Sequence, residues 1–288
     1  MKKDNPYVLV LGIAQDGGYP HAGCYKDCCN DAWKNPLFKK HVSCLAIVDP
    51  ISKEKWIIEA TPDIREQLFI LNEVISGSIN GILLTHAHIG HYTGLIHLGK
   101  EAMNTKRLPV FAAPLMKRFL KKNQPWKKLS EQNNIRLISI IQNSKPIQLN
   151  KRIKVTPFPV PHRDELSETM GFRIEGNNNS VVYIPDIDNW KKWESKLENI
   201  ILSAGRVYID GTFYDKNEIP KRNLSKIPHP FITDTIELLK SIPLREKEKV
   251  HFIHLNHTNP ALKTNSQERR KIEKYGFQIA EEMSRFNL

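Results

Sequence analysis

Along this chain the period of apolar and polar positions switches repeatedly, and the switches mark out strands and helices. Residues 7–12 are an unbroken apolar run, which predicts an inner strand. Residues 43–48 lead into a turn at Asp49-Pro50, and 55–60 pair back as the second arm of a hairpin. Thr61 is an expected N-cap with Pro62 in the first turn, opening a helix whose buried face is Ile64, Leu68 and Leu71. Asp63 is expected to cap that helix. Residues 81–84 and 110–112 read as short buried strands, and 114–122 as a helix that stops before Asn123-Gln124-Pro125-Trp126. Strands at 135–141, 152–160, 169–175 and 181–185 then look like an antiparallel meander, with a turn at Gly176-Asn177-Asn178-Asn179. Helices at 190–202, 231–240 and 267–275 alternate with strands at 206–210 and 250–255. No internal repeat, low-complexity tract or linker interrupts this order. It fits one α/β domain over residues 1–288, two mixed sheets flanked by helices in an αββα sandwich.

The polar residues at the ends of these strands carry the chemistry. Thr85-His86-Ala87-His88-Ile89-Gly90-His91 places three histidines within six residues, directly after the strand at 81–84. Imidazole is the commonest biological ligand for zinc and also suits iron and manganese. His162 follows the strand at 152–160, Asp186 follows 181–185, and His254 ends the apolar run from 250. Independent strands that each end in a ligand-type residue are hard to explain as surface polarity. Asp210 also ends a strand, and it is expected to orient a ligand histidine through the ring's other nitrogen.

The histidine segment resembles the His-x-His-x-Asp-His signature of the metallo-β-lactamase superfamily, with Gly90 in the place of the Asp. Further stretches, Gly12-Ile13-Ala14-Gln15-Asp16-Gly17-Gly18-Tyr19-Pro20, Thr61-Pro62-Asp63-Ile64-Arg65, Ile209-Asp210-Gly211-Thr212-Phe213 and 253–260, are similar to the branch that contains the pyrroloquinoline quinone biosynthesis proteins. The resemblance covers nearly the whole chain. It implies that one metal takes His86, His88 and His162 with Asp186 shared, and that a second takes Asp186, His91 and His254. Gly90 contributes nothing to that second position, so its metal is expected to be weakly held, and Gly90→Asp is expected to raise its occupancy. His257 is the extra residue. It could fill the vacancy at Gly90, act as an acid or base in catalysis, or reach the cysteines.

Those cysteines are crowded into the amino-terminal end. Cys24, Cys28 and Cys29 lie in a Cys-rich loop at 15–36, rich in turn formers and long for a connection, while Cys44 sits in a strand. Clustered thiols suggest a closed tetrahedral zinc site before a disulfide, completed by His21, His229 or His257. Members of the superfamily carry a structural zinc near this position with a different cysteine spacing.

Composition narrows the partners. The chain has 43 basic and 31 acidic residues, a formal charge of +12, which favours a small anionic substrate. The densest basic stretch, from Lys117-Arg118 to Lys127-Lys128, is spaced like a solvated helix face, and no run of stacking aromatics accompanies it, so nucleic acid is disfavoured. No apolar run approaches the ~18 residues that span a bilayer, and the first residues lack the apolar stretch of a signal peptide, so a cytoplasmic location is expected. A homodimer is left open.

The expected activity is that of a metallo-hydrolase. A bound divalent ion, zinc with iron(II) or manganese(II) as the other options, would activate water against an ester, lactone, amide or phosphodiester. Asp186 would orient or deprotonate that water, and His257 would assist the leaving group. No Gly-x-Ser-x-Gly motif offers a rival nucleophile. Histidines with one carboxylate also suit iron(II) and dioxygen, so an iron-dependent oxygenase of quinone-cofactor biosynthesis is the alternative, and a nuclease-type enzyme, suggested by charge alone, is the third.

Overall fold

The computed structural model describes residues 4–140, 145–163, 165–193, 196–219 and 228–288. Its first strands are β1 (Tyr7–Gly12), β2 (Cys44–Asp49), β3 (Glu54–Ile58), β4 (Gly81–Leu83), β5 (Leu108–Ala112) and β6 (Ile135–Ser139). They are followed by β7 (Ile147–Gln148), β8 (Lys154–Pro159), β9 (Met170–Glu175), β10 (Ser180–Ile184), β11 (Arg206–Asp210), β12 (Val250–Ile253), β13 (Gln278–Ile279) and β14 (Arg285–Asn287). Among the described residues they form two seven-stranded sheets, ordered β14-β1-β2-β3-β4-β5-β6 and β13-β12-β11-β10-β9-β8-β7. The first half of the chain thus builds one sheet and the second half the other. The last strand then returns to pair with β1, Tyr7 opposite Asn287.

Strand periodicity explains why the sheets face each other. In β1, Val8 and Val10 pack into the core between the sheets, whereas Tyr7, Leu9 and Leu11 join the core under the outer helices. β2 repeats this, with Leu45 and Ile47 on the inner face and Cys44, Ala46 and Val48 on the outer. Alternate side chains point to opposite faces, so a strand covered on both sides must be apolar throughout. Truncating a fully buried ring here, such as Phe172, to Ala would cost about 3–5 kcal/mol.

Several elements differ from the sequence reading. The segment at 135–141 does not begin a meander: β6 pairs parallel with β5 in the first sheet, and the antiparallel meander of the second sheet comprises β7 to β10. Nothing local distinguishes the two, because both are short runs of mixed polarity. Its last expected residue, 141, lies outside the described residues. The expected helix at 190–202 is a 3-10 turn at Trp190–Lys192 and a helix at Leu197–Leu202, with 194–195 outside the described residues. The Cys-rich segment is not a loop throughout, since Asp27–Lys34 is helical. The helix after Thr61 starts at Ile64, and Asp63 does not cap it by a side-chain hydrogen bond. Asp63 Oδ2 instead accepts from Val42 N at 2.8 Å, and Thr61 Oγ1 donates to Gln67 Oε1 at 2.7 Å. Among the described residues no helix is long and apolar enough to cross a membrane.

Candidate metal centre

Strand direction decides where the polar residues meet. β1 and β3 are each antiparallel to β2, and β4 is parallel to β3, so β1 and β4 run the same way. In the other sheet β8 and β10 are each antiparallel to β9, and β11 and β12 run parallel to β10. The carboxyl ends of each set therefore share one edge of their sheet. Asp16 follows β1, His86 to His91 follow β4, His162 follows β8, Asp186 follows β10, and His254 follows β12. His86, His91, His162, Asp186 and His254 are all buried.

On one side, His86 Nε2 lies 2.8 Å from His88 Nδ1. His86, His88 and His162 bring one ring nitrogen each to within 4.8 Å of one another. Asp186 joins them, Oδ2 at 3.8 Å from His86 Nε2 and Oδ1 at 3.9 Å from His162 Nε2. Burial pushes His86 well below its usual value and His88 down to about 4, and it lowers His162 as well. Neutral rings are the form that binds a metal.

On the other side, His91 Nε2 lies 3.1 Å from Asp186 Oδ2 and 3.3 Å from Asp16 Oδ1. His254 Nε2 lies 3.6 Å from the same Asp16 oxygen, and its Nδ1 3.4 Å from Asp186 Oδ1. Burial works against a charge on His91, but Glu59, Asp16 and Asp186 outweigh it and raise its pKa well above the usual value. Burial likewise opposes ionised Asp186, and His254, His91 and His86 more than offset it. Two residues of this side hold left-handed backbone, His254 at φ 64° and Glu59 at φ 82°. Non-glycine residues adopt that conformation at a cost, and such strain gathers where a side chain must be aimed.

The rings are aimed by their outer nitrogens. Thr85 Oγ1 lies 2.9 Å from His86 Nδ1, Glu59 Oε1 3.3 Å from His91 Nδ1, and Asp188 Oδ1 3.1 Å from His162 Nδ1. Thr212 Oγ1 lies 3.1 Å from His254 Nδ1. The two threonine hydroxyls hold their rings by hydrogen bonds and turn the other nitrogen inward, the arrangement found around metal-binding histidines. Glu59 and Asp188 lie beside the outer nitrogens of His91 and His162 without a well-directed hydrogen bond. Inside, Asp16 Oδ1, His91 Nε2, His162 Nε2, Asp186 Oδ2 and His254 Nε2 are buried without a well-directed hydrogen bond. Buried polar atoms in such number call for a partner, and a cation is what this donor set fits.

Sequence reasoning missed two residues of this cluster. His229, considered only for the cysteines, has its Nδ1 2.7 Å from Asp210 Oδ2 and 3.7 Å from Asp186 Oδ1. Asp210 therefore does orient a histidine, although not one of the expected ligands. It is itself fixed by Thr212 N and Ile187 N, which donate to its two oxygens at 2.9 and 3.1 Å. Asp16 sits in a turn with no period or spacing to point at the metal loop. Gly90 was the available clue, because a Cβ there would lie 2.1 Å from Asp16 Oδ1 and 2.7 Å from its Cα. Position 90 is thus not beside an empty space, which removes the premise for adding a carboxylate there in the otherwise unchanged chain.

His257 has a different neighbourhood from the catalytic one expected. It joins Cys24, Cys28 and Cys29, with one ligand atom from each residue within 4.8 Å of the others. The thiols are free, Cys24 Sγ lies 3.6 Å from Cys28 Sγ, and His21 N donates to Cys29 Sγ at 3.4 Å. His21 packs its ring 4.2 Å from that of His257. Cys44 is buried in β2.

A family model described as the beta-lactamase superfamily domain matches residues 55–255. Coenzyme PQQ synthesis protein B of Ruegeria pomeroyi is 25% identical over 95% of this chain and 97% of its own. The protein of the same name from Gluconobacter oxydans is 25% identical over 98% of each. Among solved structures, zinc-bound PqqB from Methylobacterium extorquens is similar at a TM-score of 0.82 and 24% identity, covering 98% of this chain and 100% of that one. With two mixed sheets flanked by helices and the family model matched across its centre, the chain belongs to the metallo-β-lactamase superfamily and resembles its PqqB members.

Proposed function

We propose that this protein is a metal-dependent hydrolase acting on an ester, lactone, amide or phosphodiester bond of a small anionic molecule. The observation that carries this is the position of Asp186, a buried carboxylate with one oxygen towards His86 and His91 and the other towards His162, His254 and His229. His86, His88 and His162 would hold one divalent ion, and His91 and His254 a second, with Asp186 between them. Bound zinc supplies Lewis acidity and lowers the pKa of a coordinated water to about 7. Asp186 would orient a water held at such an ion by accepting a hydrogen bond at a carboxylate oxygen. His229 is the proton donor to the leaving group in place of His257. Its ring is held by Asp210, whose Oδ2 lies 2.7 Å from Nδ1. The positive charge of the chain, +12 overall, favours anionic substrates.

A second reading has support of its own. The near full-length likeness to proteins named for coenzyme PQQ synthesis fits an iron-dependent oxidation at the same ligands, which also suit iron(II). The test is one panel of activated esters, lactones and phosphodiesters with zinc, manganese or iron(II) loaded. Oxygen uptake is followed in the iron samples. Turnover with zinc and no oxygen uptake supports the hydrolase, and substrate-dependent oxygen uptake with iron alone overturns it.

A further inference from the structure

We propose that Asp16 is a ligand of the second metal position, a carboxylate delivered from the loop after β1 rather than from the histidine loop. This rests on the reading above that the cluster holds metal, and it adds a residue outside the 55–255 segment matched by the family model. Asp16 Oδ1, His91 Nε2 and His254 Nε2 form a three-residue donor set, each atom within 4.8 Å of the others. Asp186 Oδ2, 3.1 Å from His91 Nε2, closes the fourth side. Asp16 Oδ1 is buried and has no well-directed hydrogen bond, although the residue's side chain as a whole is 27% exposed. A carboxylate oxygen aimed inward from a partly solvated loop has given up water for something, and two histidine nitrogens at 3.3 and 3.6 Å without good alignment are an incomplete return.

The backbone holds Asp16 in place. Gln15 N donates to Leu255 O at 2.9 Å, Leu255 N to Ile13 O at 2.8 Å, and Gly18 N to Gln15 O at 2.7 Å. The loop is therefore stitched to the residue next to His254, so two of the donors are set by one strip of backbone pairing. Gly90 completes the case. It is close approach that excludes a side chain at 90, because the atoms a Cβ would meet first are those of Asp16. The Asp16 side chain and the backbone that carries it fill the volume a side chain at 90 would need, so position 16 and not position 90 supplies the carboxylate here.

The test is zinc content by equilibrium dialysis of the full chain, with zinc-edge anomalous diffraction to locate each ion. Wild type is expected to carry two zinc ions among the histidines. D16N, close to the native shape, should lose affinity for the ion beside His91 and His254 by more than the roughly hundredfold at most that loss of an outer-shell partner costs, and keep the ion on His86, His88 and His162. G90D should not tighten the ion beside His91 and His254, because a Cβ at 90 would lie 2.7 Å from the Cα of Asp16. Wild-type affinity at both positions in D16N overturns the inference. So does a single ion in wild type on His86, His88 and His162, which leaves the first metal position standing. Absence of zinc from the histidines of wild type itself is a separate failure, of the metal reading, and takes the inference with it.

Discussion

The histidine cluster and the cysteine cluster are built in opposite ways. Cys24, Cys28 and Cys29 come from the start of one helix, Asp27–Lys34, and the turn before it, and His257 alone arrives from far away. The histidine cluster draws from residues 16 to 254 and from the ends of five strands in two sheets. It is also rich in carboxylates, which the cysteine cluster lacks, and both mix buried residues with half-buried ones, His88 and Asp16 in the histidine cluster and Cys28 and His257 in the cysteine cluster. The first arrangement suits a closed structural site and the second an open reactive one. They share one loop. His254 faces the carboxylates while His257, three residues on, faces the thiols, so metal at one cluster is expected to steady the loop that serves the other.

The sharpest way to break the contrast is to remove the ring nitrogens. His86→Ala, His88→Ala and His162→Ala should each abolish turnover and lower bound metal while leaving the cysteine cluster loaded. Retained rate and metal in all three would sink the assignment. His229→Ala should lower kcat by about 10²–10⁴-fold with zinc content unchanged, and loss of zinc in that variant would make His229 a ligand instead. Cys28→Ser should lose the zinc of the cysteine cluster and lower Tm on the order of 5 °C, because a structural metal contributes directly to folding. His257→Ala should repeat the metal loss and leave zinc at the histidines intact. If it strips the histidine centre instead, the two clusters have been divided wrongly.

The smallest effect concerns the shared loop. Glu218 accepts from Tyr214 N at 2.6 Å and from Thr258 Oγ1 beside His257. Burial, only partly offset by those bonds, raises its pKa to about 7. A folded pKa above the unfolded one means that the native state binds more protons, so stability falls as pH rises from about 4.5 to 7. Glu218→Gln should flatten that part of the pH profile of Tm, and an unchanged slope would remove Glu218 from the account.

How much of this was legible depended on whether the signal was local. The helix at Pro114–Lys122 matches the expected bounds because its punctuation, a proline at the start and Asn-Gln-Pro after the end, lies within the segment. β6 was misplaced because the choice between parallel and antiparallel partners is made by distant strands. His86, His88, His162, Asp186 and His254 stood out because each ends a strand, and superfamily resemblance supplied their grouping. Asp210 was anticipated as an orienting residue, but its partner was not. Asp16 and His229 lie in irregular segments, where neither period nor spacing says which way a side chain turns.

The sequence alone determined the alternation of strands and helices, the residue types able to bind metal, and their placement at strand ends, since all three follow from side-chain period and local chemistry. Only the tertiary structure decided which ends share an edge, that Asp16 occupies the space over Gly90, and that His257 goes to the thiols while His229 goes to Asp210. Those outcomes depend on strand direction, sheet packing and excluded volume between residues far apart in the chain, and no local pattern encodes them.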